Sequence, residues 1–151
     1  MREMLGVPFC CICCILLMRT VMAGGEKNDL KKLQGEWMKT DSIYEGERIP
    51  PDKGPAKIVV ASDQLRVVEN NGKITRLYRI EIDPTKNPAH MDFYLKLGED
   101  EKGPLRAIYS LDGETLRICL PRLPSQERPK EFSSPKDSKL GLTTFKRANP
   151  K

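Results

Sequence analysis

His90 is the single histidine of the chain, and it lies between Asp83 and Asp92. An imidazole beside carboxylates can hold a transition metal or move a proton near neutral pH. A metal would need further nitrogen or sulfur ligands, and no second histidine exists to supply one. Asp83 and Asp92 are therefore read as turn and strand-end residues. Ser110 stands beside Asp112, but a nucleophilic serine needs a positioned base, and no Gly-x-Ser-x-Gly elbow occurs. Asp and Glu are plentiful enough for the paired carboxylates of a glycosidase. Such a pair must face one another across a cleft, whereas the inward faces of this chain read as almost wholly apolar. No glycine-rich phosphate loop of either standard spacing is present. The expectation is no catalytic residue, no metal and no cofactor, which is the pattern of a non-enzyme.

Cys10, Cys11, Cys13 and Cys14 have the crowding of a thiolate metal cluster. Their setting argues otherwise. They lie in the uncharged run Leu5–Met18, between Arg2 and Arg19. That run is shorter than the ~20 apolar residues of a membrane span and fits the apolar core of a secretory signal. Val21-Met22-Ala23 offers a peptidase site before Gly24. Residues 1–23 are thus expected to be a signal peptide, and residues 24–151 one exported domain, periplasmic or secreted, with no membrane span. Starts at Met18 or Met22 would give a cytosolic protein instead. Of the five cysteines, cleavage would leave Cys119 alone, so the domain must hold without an internal disulfide.

The length of 151 residues suits one domain plus such a segment. Hydrophobic residues at 38% and charged residues at 31% are too apolar for a disordered chain and too polar for a membrane bundle. The net charge is +5. Lys27, Lys31 and Lys32 cluster, and Arg76, Arg79, Arg106 and Arg117 are read as projecting outward from strands. Acidic residues are interspersed, and Tyr94 is the best exposed aromatic for base stacking. A solvated mixed surface and no nucleic-acid partner are expected.

The elements that must position these residues are strands. A short helix comes first, capped by Asp29, with Leu30 and Leu33 on one face and an end near Gly35. After it the period becomes two. Strands are predicted around Trp37–Ile43 and over Lys57–Ala61, Leu65–Glu69, Ile74–Ile82, Met91–Leu97, Leu105–Leu111, Leu116–Leu120 and Gly141–Arg147. Asn71-Gly72 and Asp112-Gly113 are tight-turn signals, and Asp83-Pro84 ends a strand. About eight antiparallel strands at regular spacing indicate a sandwich or barrel. Pro121–Ser138, rich in proline and charge, is expected to cross a rim or to carry a short irregular strand at Arg128–Phe132, because structureless connections beyond ~12–15 residues are uncommon.

Leu33-Gln34-Gly35-Glu36-Trp37 resembles the opening motif of a lipocalin-like family of uncharacterised domains known mainly from planctomycete bacteria. Further pieces follow in order: Ile82-Asp83-Pro84-Thr85-Lys86-Asn87-Pro88, then Met91-Asp92, Lys102-Gly103-Pro104, and Ile108 through Leu116. Arg128-Pro129-Lys130-Glu131-Phe132 and Phe145-Lys146-Arg147 complete the set, which spans Asp29 to Arg147. The chain departs from the pattern at Arg76-Leu77-Tyr78 and at Ala107, where the family often has glycines. The resemblance implies an all-β fold, a small up-and-down barrel of about eight strands with a short N-terminal helix. It implies no activity and points only toward ligand binding.

In such barrels a tryptophan plugs the closed end under a basic residue of the last strand. Trp37 with Arg147 or Lys146 would fill these roles here. The alternating faces nominate Tyr78, Ile80, Phe93, Leu95, Tyr109 and Ile118, with Met91 and Leu116, as barrel lining. A barrel of about eight strands is wide enough either to be filled by side chains or to hold one small ligand. The expected function is binding of a small apolar or amphipathic molecule in the barrel mouth, beneath the Pro121–Ser138 segment. The alternative is a filled module acting through its surface on a protein partner that the residues do not specify.

Overall fold

The computed structural model describes residue 25 and residues 28–148. The expected signal peptide, its cysteines and the alternative starts lie outside the described residues. A short helix, α1 (residues 28–33), precedes nine strands: β1 (Gly35–Tyr44), β2 (Glu47–Arg48), β3 (Lys57–Ala61), β4 (Gln64–Val68), β5 (Ile74–Asp83), β6 (Ala89–Leu97), β7 (Asp100–Asp112), β8 (Thr115–Pro121) and β9 (Leu140–Arg147). Among the described residues no helix is long and apolar enough to cross a membrane.

From β3 onward each strand pairs antiparallel with the next. β1 pairs β3 along one side and β9 along the other, from Trp37 opposite Arg147 to Tyr44 opposite Gly141. The sheet therefore closes into an eight-stranded up-and-down barrel, with β2 as an extra strand on β1. Closure leaves these eight strands without an open edge. The wall alternates as the period-two runs require. Ile58 and Val60, Leu65 and Val67, Tyr78, Ile80 and Ile82, Met91 and Phe93, Leu116 and Ile118 are buried in one core. Ala107 is fully buried inside the closed wall.

Strand β7 begins five positions before the predicted Leu105, at Asp100. A bulge on β7, where Gly103 and Pro104 together face Tyr94, brings Lys102 opposite Leu95, so Lys102-Gly103-Pro104 joins the wall. At Gly103 φ is +138°, and a Cβ would lie 2.7 Å from the Phe93 carbonyl oxygen. Only glycine meets both conditions. Outside the bulge, Arg79 donates to Glu101 through Nε and Nη2, each at 3.0 Å, and Lys96 approaches the same carboxylate at 3.1 Å. The Arg79 guanidinium also lies 4.2 Å over the Tyr94 ring.

Hydrogen bonds from Arg79 and Lys96 hold the Glu101 carboxyl down at about 2, from an ordinary 4.5. A carboxylate lowered on folding adds stability that is complete above its ordinary value and disappears as pH falls through the lowered one. Wild type is therefore expected to melt above Glu101→Gln at neutral pH. The gap should close between about pH 4.5 and about pH 2, as thermal melts of both proteins across that range would show. A gap independent of pH would remove the ion network from the account.

The segment at residues 122–139 neither crosses the rim nor carries a strand at Arg128–Phe132. It folds back over the outer face of β7, β8 and β9, where Ile108, Cys119 and Leu142 form a second buried cluster against Phe132 and Leu140. Three apolar side chains on the outside of a barrel need a cover, and this segment supplies it. Arg128 anchors it by an ion pair to Asp92 at 2.7 Å and a bond to the Ala107 carbonyl at 2.7 Å. Buried Ser134 donates to the Leu140 carbonyl at 2.6 Å and accepts from the Glu45 amide at 2.8 Å.

Candidate functional site

The two ends of the barrel interior differ. At the end carrying α1, Leu33 and Trp37 are fully buried. The Trp37 indole N–H donates to the Leu33 carbonyl at 2.8 Å, which fixes the ring relative to the helix. Arg147 lies 4.1 Å over that ring, and its neighbour Lys146 is exposed. The Arg147 guanidinium also donates to the carbonyls of Gln34, at 2.8 Å, and of Lys32, and it pairs with Glu114 at 3.2 Å. These carbonyls end α1 and have no partner within the helix. One cation thus stacks on the plug and satisfies the helix terminus. Gly35 has φ +109°, and a Cβ there would sit 3.5 Å from the guanidinium. Asp29 lies within α1 rather than capping it. Its carboxylate accepts from the Tyr109 hydroxyl at 2.9 Å, tying the helix to the barrel interior.

At the opposite end the interior holds a cavity of about 380 Å³ that opens to solvent. Its walls are apolar: Ile58, Leu65, Val67, Phe93, Ile118 and Phe145. Tyr78 packs edge-on to Phe93, with ring centroids 5.5 Å apart and planes at 88°. Of the expected lining, Tyr78, Phe93 and Ile118 border this space. Ile80 and Tyr109 belong to the packed core, and Leu95 is half-buried against it. Alternation determines which face a residue takes, but not how deep along the barrel it lies.

Nearer the mouth the lining becomes polar, which the reading of an almost wholly apolar interior missed. Ser42 and Thr143 share a hydrogen bond at 3.2 Å, and both line the cavity together with Tyr44, Lys39, Lys53 and Arg76. Arg76 is thus not on the outer wall as expected: it has the same parity along β5 as Tyr78, Ile80 and Ile82, whose side chains are buried. Lys39 has the parity of Trp37 on β1, and a bulge between Lys39 and Asp41 then turns Ser42 and Tyr44 inward. The segment leaning over the opening is 49–56, not 122–139. Ile49, Lys53, Gly54 and Pro55 border the cavity. The Lys39 ammonium holds this segment by donating to the Lys53 carbonyl at 2.6 Å, and Asn70 donates to the Asp52 carbonyl at 3.1 Å.

The residues with catalytic side chains lie elsewhere. His90 is half-buried opposite Asp83 in the β5–β6 ladder. Burial first, then Arg128, push its imidazole below the ordinary value, against opposing pulls from Asp83 and Asp92. Ser110 stands opposite Arg117, and Asp112 is exposed. Among the described residues no group of three or more His, Cys, Asp or Glu side chains is placed to hold a metal ion. Cys119 is buried under the 122–139 segment and donates to the Ser133 carbonyl at 3.4 Å; burial pushes its thiol up. Of the basic residues, Arg79 is held by Glu101, Arg117 lies 4.8 Å over Phe132, and Arg106 reaches the Pro124 carbonyl at 3.4 Å. Lys31 and Lys32 are on α1, and Lys27 lies outside the described residues.

Comparison with protein-family models, with curated proteins and with solved structures yields no match.

Proposed function

We propose that this chain is a non-catalytic, lipocalin-like carrier that takes one small apolar or amphipathic molecule into the open half of its barrel, and that it acts after export. The observation carrying this reading is the cavity of about 380 Å³ with apolar walls and one open end. That volume lies within the ~300–1,000 Å³ of small-molecule sites, which are mostly apolar with a few convergent polar groups. The Trp37–Arg147 plug supports the lipocalin likeness, and the Leu5–Met18 run supports export. A filled module acting through its surface fits the packed half around Trp37 but leaves the open half without a role.

Native mass spectrometry of the protein recovered from its own cells tests both parts. A polypeptide mass starting at Gly24 and a bound small molecule, released on denaturation, are expected. An intact Met1 in the cytosolic fraction would refute export. A bare mass across all preparations, with no uptake from an added lipid extract, would refute carriage.

A further inference from the structure

Lys39, Lys53 and Arg76 share the mouth of the cavity, whereas several cations of the outer wall are neutralised by carboxylates. Outside, Arg79 pairs with Glu101 at 3.0 Å, Arg128 with Asp92 at 2.7 Å and Lys57 with Glu36 at 2.9 Å. At the mouth, no ion pair involves Lys39, Lys53 or Arg76 among the described residues. No Asp or Glu is among the described residues that line the cavity. Two of the three cations, Lys39 and Arg76, sit on inward strand positions whose neighbours of like parity are Trp37 and Tyr78, both buried. Lys39 is half-buried and Lys53 and Arg76 reach solvent at the mouth, so either water or an anionic group can satisfy their charge. Lys39 gives one N–H to the Lys53 carbonyl, and an ammonium has three donors. The hydroxyls of Ser42 and Thr143 border the same space. Apolar walls with a collar of positive charge and hydroxyl groups match a molecule with an oily tail and an anionic head.

We infer that the occupant is an anionic amphiphile, its tail against Val67, Phe93 and Ile118 and its carboxylate or phosphate head held by Lys39, Lys53 and Arg76. This inference rests on the carrier reading and adds the sign of the head group to it. An uncompensated cationic rim also draws anions from solution, an attraction that salt screens with a Debye length of ~8–10 Å at ordinary ionic strength.

Four probes with one common tail test it: dodecanoate, dodecyl phosphate, dodecanol and dodecyltrimethylammonium, titrated into the full chain below their micelle concentrations. At least one of the two anions is expected to bind about tenfold more tightly than dodecanol, and the cationic probe more weakly than dodecanol. Which anion binds better separates a carboxylate from a phosphate head. Added salt should narrow the gap between anion and alcohol. Lys39→Gln combined with Arg76→Gln should bring the preferred anion down to the affinity of dodecanol, with an unchanged thermal midpoint as evidence of folding. Arg76→Lys, which keeps the charge, should retain most of the preference. If all four probes bind alike, or if the cationic probe binds best, the inference falls and the carrier reading stands. If none binds, both fall.

Discussion

Trp37→Ala is expected to destabilise the barrel by about 3–5 kcal/mol, the usual cost of truncating a large buried aromatic. Trp37 is fully buried, and the packed half of the core surrounds it, so little can relax into the space. The loss has three parts: the transfer of the ring, the indole N–H bond to Leu33, and the seat of the Arg147 guanidinium. They separate by substitution. Trp37→Phe keeps a ring under Arg147 and loses the donor, so it should cost about 1–3 kcal/mol for a buried carbonyl left unpaired and the smaller ring. Arg147→Ala keeps the plug but uncovers it and strips two helix-end carbonyls of their partner, for about 2–3 kcal/mol. The Trp37/Arg147 double-mutant cycle should return a coupling of about 0.5–2 kcal/mol. Urea unfolding of wild type, the three single variants and the double variant measures all of these. A cost below about 1 kcal/mol for Trp37→Ala would show that the closed end is not held by this residue.

The second large effect is on binding. Val67 borders the cavity on β4, and Val67→Trp would put an indole into space that the ligand tail needs. Affinity for the preferred amphiphile should fall about a hundredfold, ~2.7 kcal/mol. Stability should change little, because the new ring enters a void instead of a packed core. Arg66 is the adjacent residue on the outer face, exposed where Val67 is buried. Arg66→Trp should leave affinity as it is. Equal effects from the two substitutions would place the ligand outside the barrel.

The wall was legible from local pattern because a closed barrel imposes one rule on every strand. Met91–Leu97 alternates along its whole length, Tyr78–Ile82 and Leu116–Ile118 alternate over shorter runs, and each lies in a strand of the barrel. The mouth was less legible, for two reasons. The bulge after Lys39 changes the parity of β1, and no residue type near Thr40 announces it. Arg76 was readable: strict alternation from Tyr78 places it inward. A charge on a strand ordinarily marks the solvent side, yet at the end of a barrel an inward position can also reach solvent. The covering segment had a signal of its own. Ile118-Cys119-Leu120 is apolar on both faces, which marks a strand buried on both sides, and Cys119 is indeed fully buried beneath residues 122–139. Where a proline-rich segment lies relative to the wall depends on long-range contacts such as Arg128 with Asp92, and those are not written in local pattern. Gly103 shows the reverse case. Lys102-Gly103-Pro104 is conspicuous in the sequence, but its reason lies in the backbone of Phe93 across the ladder.

Methyl-resolved NMR during titration with dodecanoate tests most directly whether the open half of the barrel takes a ligand. The methyls of Ile58, Leu65, Val67 and Ile118 around the cavity should shift together and saturate at one molecule per chain, while those of Leu33, Ile82 and Leu116 in the packed half stay in place. Shifts confined to Ile108 and Leu142 under the outer segment, or no saturable shift from any of the four amphiphiles, would contradict it.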